Sequence, residues 1–595
     1  MCGIFFLARL GKTPDTESEE FLDFLNRLKD SNGRRGPDVQ QQLDAPIRGS
    51  DDRDDIHLRF FASELQLRGT DVAQQPHHDV DQGNTLCWNG EIFEGIEVTP
   101  DENDGTKLFS LLLEARNVKD VTSIFASLEG PYAFVYLENG SKRLYFGRDP
   151  LGRRSLLVHK PTTKFPVFIL CSVSVRMPEG LTFEELSSDH LFCLDLGRLC
   201  NLEDRIACFD KAFLPIDRSD VTKGVGGGPF ATVPIVNTVV PDDQHPSPNF
   251  EVAIPEYLQV AVDGLVSQLR RSVMLQVKSI TSLKKHHGEA SVAVLFSGGI
   301  DSAVLAFLAD RYIPADEPID LLNVAFENPR KQAKKQNPNR RKKKTEVEDQ
   351  HDAERNPDVV SDPSASYLVP DRETGLECLT ELRRLCPHRI WNFVEVDVPF
   401  EESQSARPVV EELMFPCRTV MDLSLAIALY FASKGVGTIR VTAKSPREQY
   451  TSPAKVVLNG LGPDELLGGY GRYRTAFSQY GGWSRVVEEL QTDLGRIPVR
   501  NLGRDDRVIS SHGKEVRHPF LSLPFVKYVA ELPVHHKLDP RLDLGVGDKM
   551  ILRLAAKQLG LIEASTRKKR AMQFGSHSAR MQGGEAERKG DLLLK

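Results

Sequence analysis

A chain of 595 residues with 40% apolar and 27% charged side chains has room for two to four globular domains and is neither fibrous nor disordered overall. Lys and Arg number 76 against 84 Asp and Glu, and the formal charge of −8 excludes a surface built throughout for nucleic acid. The longest apolar run, Leu423 to Ala432, is too short to span a bilayer, so no membrane partner is expected. The opening MCGIFFLARL has no basic n-region and no small-residue cleavage site, which predicts no signal peptide. Nine cysteines without CxxC or Cys/His ligand spacing fit a reducing compartment, hence a cytoplasmic protein.

Residues 1–210 read as one β-rich domain. Short apolar or alternating runs at 2–8, 58–69, 85–93, 132–140 and 143–149 are punctuated by Gly, Asn and Asp, the pattern of antiparallel sheets. Helical periodicity interrupts at 17–30 and 104–116. Gly and Pro dominate 221–249, and 211–253 is expected to be a linker or draped loop. The second domain, 254–595, opens with a helical run and continues with strands at 292–296, 319–326, 391–396 and 455–459. Strands alternating with helices predict a parallel α/β sheet. Within it, 329–363 carries nine Lys/Arg and no acid from Arg330 to Lys344, then turns acidic with almost no apolar content, so a disordered insert is expected. A solvated loop is favoured there over an import signal or an RNA contact.

Removal of Met1 would expose Cys2 with a thiol and a free α-amine on one residue. An α-amine of pKa about 7.7–8.0 can take the thiol proton, so no histidine base is required. An oxyanion formed on attack needs donors, and an Asn-Gly pair such as Asn89-Gly90 offers an amide and an unobstructed N–H. Cys2-Gly3-Ile4, Arg35-Gly36-Pro37-Asp38, Gln75-Pro76, Trp88-Asn89-Gly90-Glu91-Ile92-Phe93, Asn103-Asp104 and Gly147-Arg148-Asp149 occur in the order seen in class II glutamine amidotransferases, which this half resembles. The resemblance implies an α+β N-terminal-nucleophile fold, a four-layer αββα sandwich. In it Cys2 would attack glutamine, Asn89 and Gly90 would form the oxyanion hole, and Asp104 would bind the substrate α-amine with Glu91 close by. One departure stands out: an ungapped count from Gln75-Pro76 puts Glu64 where that family has the arginine that clamps the substrate α-carboxylate. Arg68, four residues on, is the candidate substitute after a register shift.

In the second half, Ser297-Gly298-Gly299-Ile300-Asp301-Ser302 joins a strand to a helix. Glycines let the backbone approach an anion, the helix start offers unpaired N–H groups, and Asp301 can reach a magnesium ion on phosphates. The pattern differs from GxxxxGKS and resembles the PP-loop ATP pyrophosphatases, an α/β (adenine nucleotide alpha-hydrolase-like) fold, here with added helices. Asp464-Glu465 in GLGPDELLGGYGRYR, with HPFL at 518–521, GDKMILR at 547–553 and KKRAMQFGS at 568–576, resembles the synthetase domain of glutamine-dependent asparagine synthetases. A closer resemblance than to the classical synthetases, carried by CWNGEIF, GRDPLGRRSLL, VPDRETGL and KRAMQFGS, is to the asparagine synthetase domain-containing protein 1 family.

That resemblance implies ATP held by Phe296, Ser297, Gly298, Gly299, Asp301, Ser302, Phe326, Asn459 and Gly460, with Mg2+ on Asp301 and Asp464. It also implies glutamine and aspartate as small-molecule substrates, and a homodimer is compatible with it. Two positions depart. Leu461 replaces the glutamate that handles the ammonia proton, and the lysine expected near pyrophosphate falls on Ala571, beside Lys568, Lys569 and Arg570. Two functional readings stay open: a glutamine- and ATP-dependent amidotransferase, favoured, and a catalytically weakened scaffold or binding protein of the same fold.

Overall fold

The computed structural model describes residues 2–49, 55–70, 72–218, 228–242, 246–248, 250, 253–280, 288–327, 366–440, 445–582 and 591–594. The expected insert at 329–363 lies outside the described residues, as does part of the expected linker.

The amino-terminal half is two antiparallel six-stranded sheets between helices. The first runs Glu184–Glu185, Leu157–His159, Val167–Cys171, Cys2–Arg9, Ile56–Glu64, Val39–Ile47 across its width. The second runs Phe213–Asp217, His190–Asp195, Arg143–Arg148, Tyr132–Glu138, Thr85–Gly90, His77–His78. Strand alternation sorts the side chains into three apolar layers. Ile4, Phe6, Ala8, Phe60, Val135 and Phe146 fill the space between the sheets. Phe5 and Leu7, on the opposite face, pack against Phe21, Phe24 and Leu28 of the helix Glu19–Gly33. Trp88, Phe134 and Tyr136 do the same for Leu108 and Leu112 of Asp104–Glu114 and for Phe125 of Val118–Ala126. Each fully buried aromatic contributes about 2–3 kcal/mol, so these layers are the main source of stability here.

Several strands lie outside the runs the sequence marks, among them Val167–Cys171, His190–Asp195 and Glu515–Arg517, and two others stand apart. Val39–Ile47 (VQQQLDAPI) alternates half-buried with exposed positions at the sheet edge, and its glutamines hide the signal. Phe213–Asp217, inside the expected linker, pairs with His190–Asp195. Beyond it, the described part of the linker lies along the protein: Phe230 donates its N–H to the Ala126 carbonyl, and Asn237 donates to Ala530.

The carboxy-terminal half centres on a seven-stranded sheet. Trp391–Val398, Ile319–Phe326, Val292–Leu295, Val456–Leu458 and Glu515–Arg517 are parallel neighbours in that order. Val436–Ile439 and Glu448–Thr451 close one edge antiparallel. Loops at the carboxyl ends of three adjacent strands, beginning at Phe296, Asn459 and His518, meet on one side, where open α/β sheets bind ligands. Among the described residues no helix is long and apolar enough to cross a membrane.

A buried ionic network joins the halves. Arg35 pairs with Asp506 at 2.7 Å, Arg154 reaches Asp506 at 3.5 Å and Glu515 at 3.1 Å, and Arg153 donates to the Leu521 carbonyl at 3.0 Å. Desolvating such charges costs several kcal/mol per ion, so the network fixes the docking register more than it stabilises.

Candidate active site

Cys2 is the first residue of its strand and stands opposite Glu64 in the antiparallel register. Its N–H donates to Asn89 Oδ1 at 3.0 Å, while Asn89 Nδ2 is buried with no hydrogen-bond partner, a donor left open beside the thiol-bearing residue. A Cβ at Gly90 would fall 2.6 Å from the Trp88 ring and 2.8 Å from Tyr132, so only glycine fits. Gln75 Nε2 lies 3.6 Å from Cys2 Sγ and 3.3 Å from Glu64 Oε2, and its Oε1 accepts the Trp88 N–H at 2.8 Å. Burial pushes the Cys2 thiol up to about 12, so attack requires a base to take its proton.

Asp104 opens its helix, accepting the Ile92 N–H at 2.9 Å and the Gly105 N–H at 3.0 Å. Glu91 is clamped between Arg68 at 2.8 Å and Arg517 at 3.3 Å; burial nonetheless raises it to about 7, against both arginines. Cys2, Asn89, Gly90, Glu91 and Asp104 therefore gather at one end of the sandwich. Arg68 does not substitute for the missing clamp. Its strand ends at Glu64, and its guanidinium is committed to Glu91 and to the Ile92 carbonyl at 2.9 Å. Glu64 itself is buried, accepts from Gln75 and from Asn103 at 3.3 Å, and is raised to about 7 by burial.

A cavity of about 290 Å³ opens at the carboxyl edge of the parallel sheet. Phe296, Ser297, Asp301, Ser302, Asn459, Gly460 and Asp464 line it. Gly298 has φ +76, and a Cβ there would meet the Thr374 carbonyl oxygen at 2.3 Å, so the loop folds only with glycine. Gly299 precedes the helix Ile300–Asp310. Gly460 lets Asp301 approach: a Cβ would lie 3.1 Å from that of Asp301.

Cations and carboxylates alternate on the cavity floor. Lys549 Nζ is 2.6 Å from Asp301 and 2.8 Å from Asp464, and Lys569 Nζ is 3.0 Å from the other oxygen of Asp464 and 3.7 Å from the centre of the Tyr470 ring. Burial opposes every one of these charges, yet Asp301 and Asp464 hold the Lys549 ammonium well above the ordinary lysine range. Lys549 and Lys569 likewise hold Asp464 below the carboxylate range despite burial. Asp301 Oδ1 is buried with no hydrogen-bond partner. Mg2+ takes one or two carboxylates plus substrate phosphates, and this open oxygen beside Asp464 fits such an ion. Among the described residues no three His, Cys, Asp or Glu side chains converge as a self-sufficient metal cage.

Phe326, expected at the nucleotide border, is not in the cavity wall. It is fully buried, with its ring 6.0 Å from that of Phe431, because the helix Val420–Lys434 covers the end of its strand. Lys549 lies in the GDKMILR motif, but nothing local in the sequence tells which residue of that string reaches Asp301. Lys569 occupies the place beside Asp464, while Ala571 only lines the wall.

The sequence profile for the glutamine amidotransferase domain matches residues 62–172, and that for asparagine synthase matches 477–594. Human asparagine synthetase domain-containing protein 1 is 37% identical over 612 residues, covering 94% of this chain and 92% of its own length. The glutamine-hydrolysing asparagine synthetase of Gallus gallus is 22% identical over 474 residues, covering 76% of this chain and 65% of that protein. Among solved structures, glutamine phosphoribosylpyrophosphate amidotransferase from B. subtilis superposes with a TM-score of 0.24 at 12% identity, over 54% of this chain and 66% of that one.

Proposed function

The chain belongs to the asparagine synthetase domain-containing protein 1 family, and from that membership and the two assembled sites we propose that it is a glutamine-dependent, ATP-consuming amidotransferase, with aspartate and asparagine the leading substrate and product. Cys2, freed of Met1, attacks the glutamine side-chain amide while its α-amine takes the thiol proton. Asn89 Nδ2 and the Gly90 N–H receive the oxyanion, and ammonia leaves. Asp104 holds the substrate α-amine. In the second site MgATP, when bound, supplies the adenylyl group that activates a carboxylate. Ser297, Gly298, Gly299 and Ser302 cradle the phosphates, Asp301 and Asp464 hold Mg2+, and Lys549 and Lys569 balance the charge of departing pyrophosphate.

The observation that carries this reading is the Asp301–Lys549–Asp464–Lys569 alternation on the cavity floor. A scaffold would be at least as stable with apolar residues there, since buried ion pairs rarely repay their desolvation. Glu64 carries the second reading, a weakened enzyme or binding protein, because the substrate α-carboxylate meets a carboxylate rather than a guanidinium. AMP release from MgATP by the full chain, with and without aspartate, using ammonium and then glutamine, tests both. Aspartate-dependent AMP with an asparagine product supports the synthetase; folded protein that releases no AMP with either nitrogen source sinks it.

A further inference from the structure

Two successive carbonyls of the loop 297–302 are held from outside it. The Gly298 carbonyl accepts from Arg567 Nη1 at 2.8 Å. One peptide earlier, Thr374 Oγ1 lies 2.8 Å from the Ser297 carbonyl oxygen and 2.9 Å from that of Pro370, so its one proton serves both. Arg567 also meets the exposed Glu377 at 3.6 Å. Glu377 stands three residues after Thr374 on the same face of the helix Pro370–Leu385, so both held carbonyls point towards that helix.

A trans peptide sets its N–H opposite its carbonyl. The N–H groups of Gly298 and Gly299 are therefore turned away from the helix. The Gly299 nitrogen lies 3.3 Å from Ser297 Oγ, on a side chain that lines the cavity. Two successive carbonyls on one side need neighbouring residues of opposite hand, and Gly298, with φ +76, supplies the left-handed one. The outcome is a concave row of N–H groups, the backbone's own anion site, running into the start of the helix Ile300–Asp310.

Arg567 is kept in place by contacts that do not involve its side chain. Its carbonyl accepts from Arg553 Nη1 at 2.8 Å, and Arg553 is itself held by Asp548, the neighbour of Lys549. Glu381 accepts the Glu563 N–H at 2.7 Å and the Ala564 N–H at 3.0 Å, which pins the short helix Ile562–Thr566 just before it. Removing the guanidinium therefore frees the Gly298 carbonyl without freeing the segment.

We propose that Arg567 is a positioning residue for this loop: its guanidinium holds the Gly298–Gly299 peptide so that the Gly299 N–H, beside that of Gly298, meets the pyrophosphate end of a nucleotide. The inference rests on the assignment of nucleotide phosphates to this loop in the reading above. Without Arg567 the peptide is free to turn, because a glycine on either side puts no Cβ in its way. A turned peptide offers the phosphates a carbonyl oxygen in place of an N–H. The guanidinium charge adds to the effect from behind the loop, since the solvated Glu377 offsets little of it.

Magnesium pyrophosphate and adenosine, titrated separately into the full chain by calorimetry, probe the two ends of the nucleotide. Arg567→Met should raise the Kd for pyrophosphate by about tenfold, the usual effect of losing an orienting partner, and leave that for adenosine within about twofold. Arg567→Gln, whose amide can still donate to the Gly298 carbonyl, should recover part of the loss. Pyrophosphate affinity that is absent from the wild type, or unchanged in folded Arg567→Met, overturns the inference. An equal loss for both ligands overturns it too, because it marks a general structural role. If the variant does not fold, wild-type crystals soaked in magnesium pyrophosphate decide. Phosphate oxygens should accept from Gly298 and Gly299 with Arg567 still on the Gly298 carbonyl; pyrophosphate bound elsewhere overturns the role. Arg567-dependent pyrophosphate binding in a wild type that never releases AMP upholds the role and ends the amidotransferase reading. AMP release with Arg567-independent pyrophosphate binding does the reverse.

Discussion

Around Cys2, the carboxylates Glu64, Glu91 and Asp104 are approached by two guanidinium groups, Arg68 and Arg517, and both are bound to Glu91. Around the Ser297–Ser302 loop, Asp301 and Asp464 meet Lys549 and Lys569, with Arg570 also lining the cavity. The first site is arranged to receive a cation such as an α-amine; Arg35 Nε donates to the Cys2 carbonyl at 3.2 Å but its guanidinium is bound to Asp506, so of Arg35, Arg68 and Arg517 none is left for an α-carboxylate. The second has its negative charge neutralised in advance and can admit a polyphosphate. In the proposed reading, the second site keeps its electrostatic logic while the first has lost half of it.

The sharpest way to break that comparison is at Asp301. Asp301→Ala should lower MgATP-dependent AMP release by about 10³-fold and leave glutamine hydrolysis unaffected; equal AMP production would remove Asp301 from the phosphate site. Cys2→Ala should abolish glutamine-driven turnover and keep ammonium-driven turnover within about twofold; parallel loss of both would contradict two separable sites. Lys549→Met leaves the half-buried Asp301 without its ammonium while Asp464 keeps Lys569, and should lower stability by about 1–3 kcal/mol, read as a fall in the denaturant midpoint.

Glu64 gives a pH test. Burial raises it to about 7, above the usual value of about 4.3, so the folded chain keeps a proton that the unfolded chain has lost. Its contribution is complete below about pH 4.3 and is lost as pH rises from there through about 7, a loss of about 3–4 kcal/mol. Glu64→Gln should therefore gain on the wild type in urea melts at pH 8 and not at pH 4; an equal difference at both would place the Glu64 carboxyl in an ordinary environment. The smallest effect is expected at Phe326→Leu, about 1 kcal/mol of stability with the KM for ATP unchanged. A raised KM would return Phe326 to the nucleotide site.

Where a candidate cluster is built from short contiguous strings, the sequence singles out its members. Cys2, Asn89-Gly90, the 297–302 loop and Asp464-Glu465 each sit at a strand end or turn whose local chemistry is written in neighbouring residues. Strand periodicity marked central strands of each sheet, while the polar edge strand Val39–Ile47 and the short Phe213–Asp217 carried too little apolar signal and Val167–Cys171 and His190–Asp195 also fell outside the marked runs. Arg68 read as a substitute clamp because two positions four apart in a strand share a face; the strand stops at Glu64, so the premise fails.

The sequence by itself determined the β-rich first half and the α/β second half, the two candidate clusters and the departures at Glu64 and Leu461, because these are matters of residue type at positions close along the chain. Only the tertiary structure decided that Lys549 stands between Asp301 and Asp464, 248 residues from the former, and that Arg517 and Arg68 share Glu91. Ion pairing and burial depend on distance through space, and in a parallel sheet the strand ends that meet there come from distant parts of the chain.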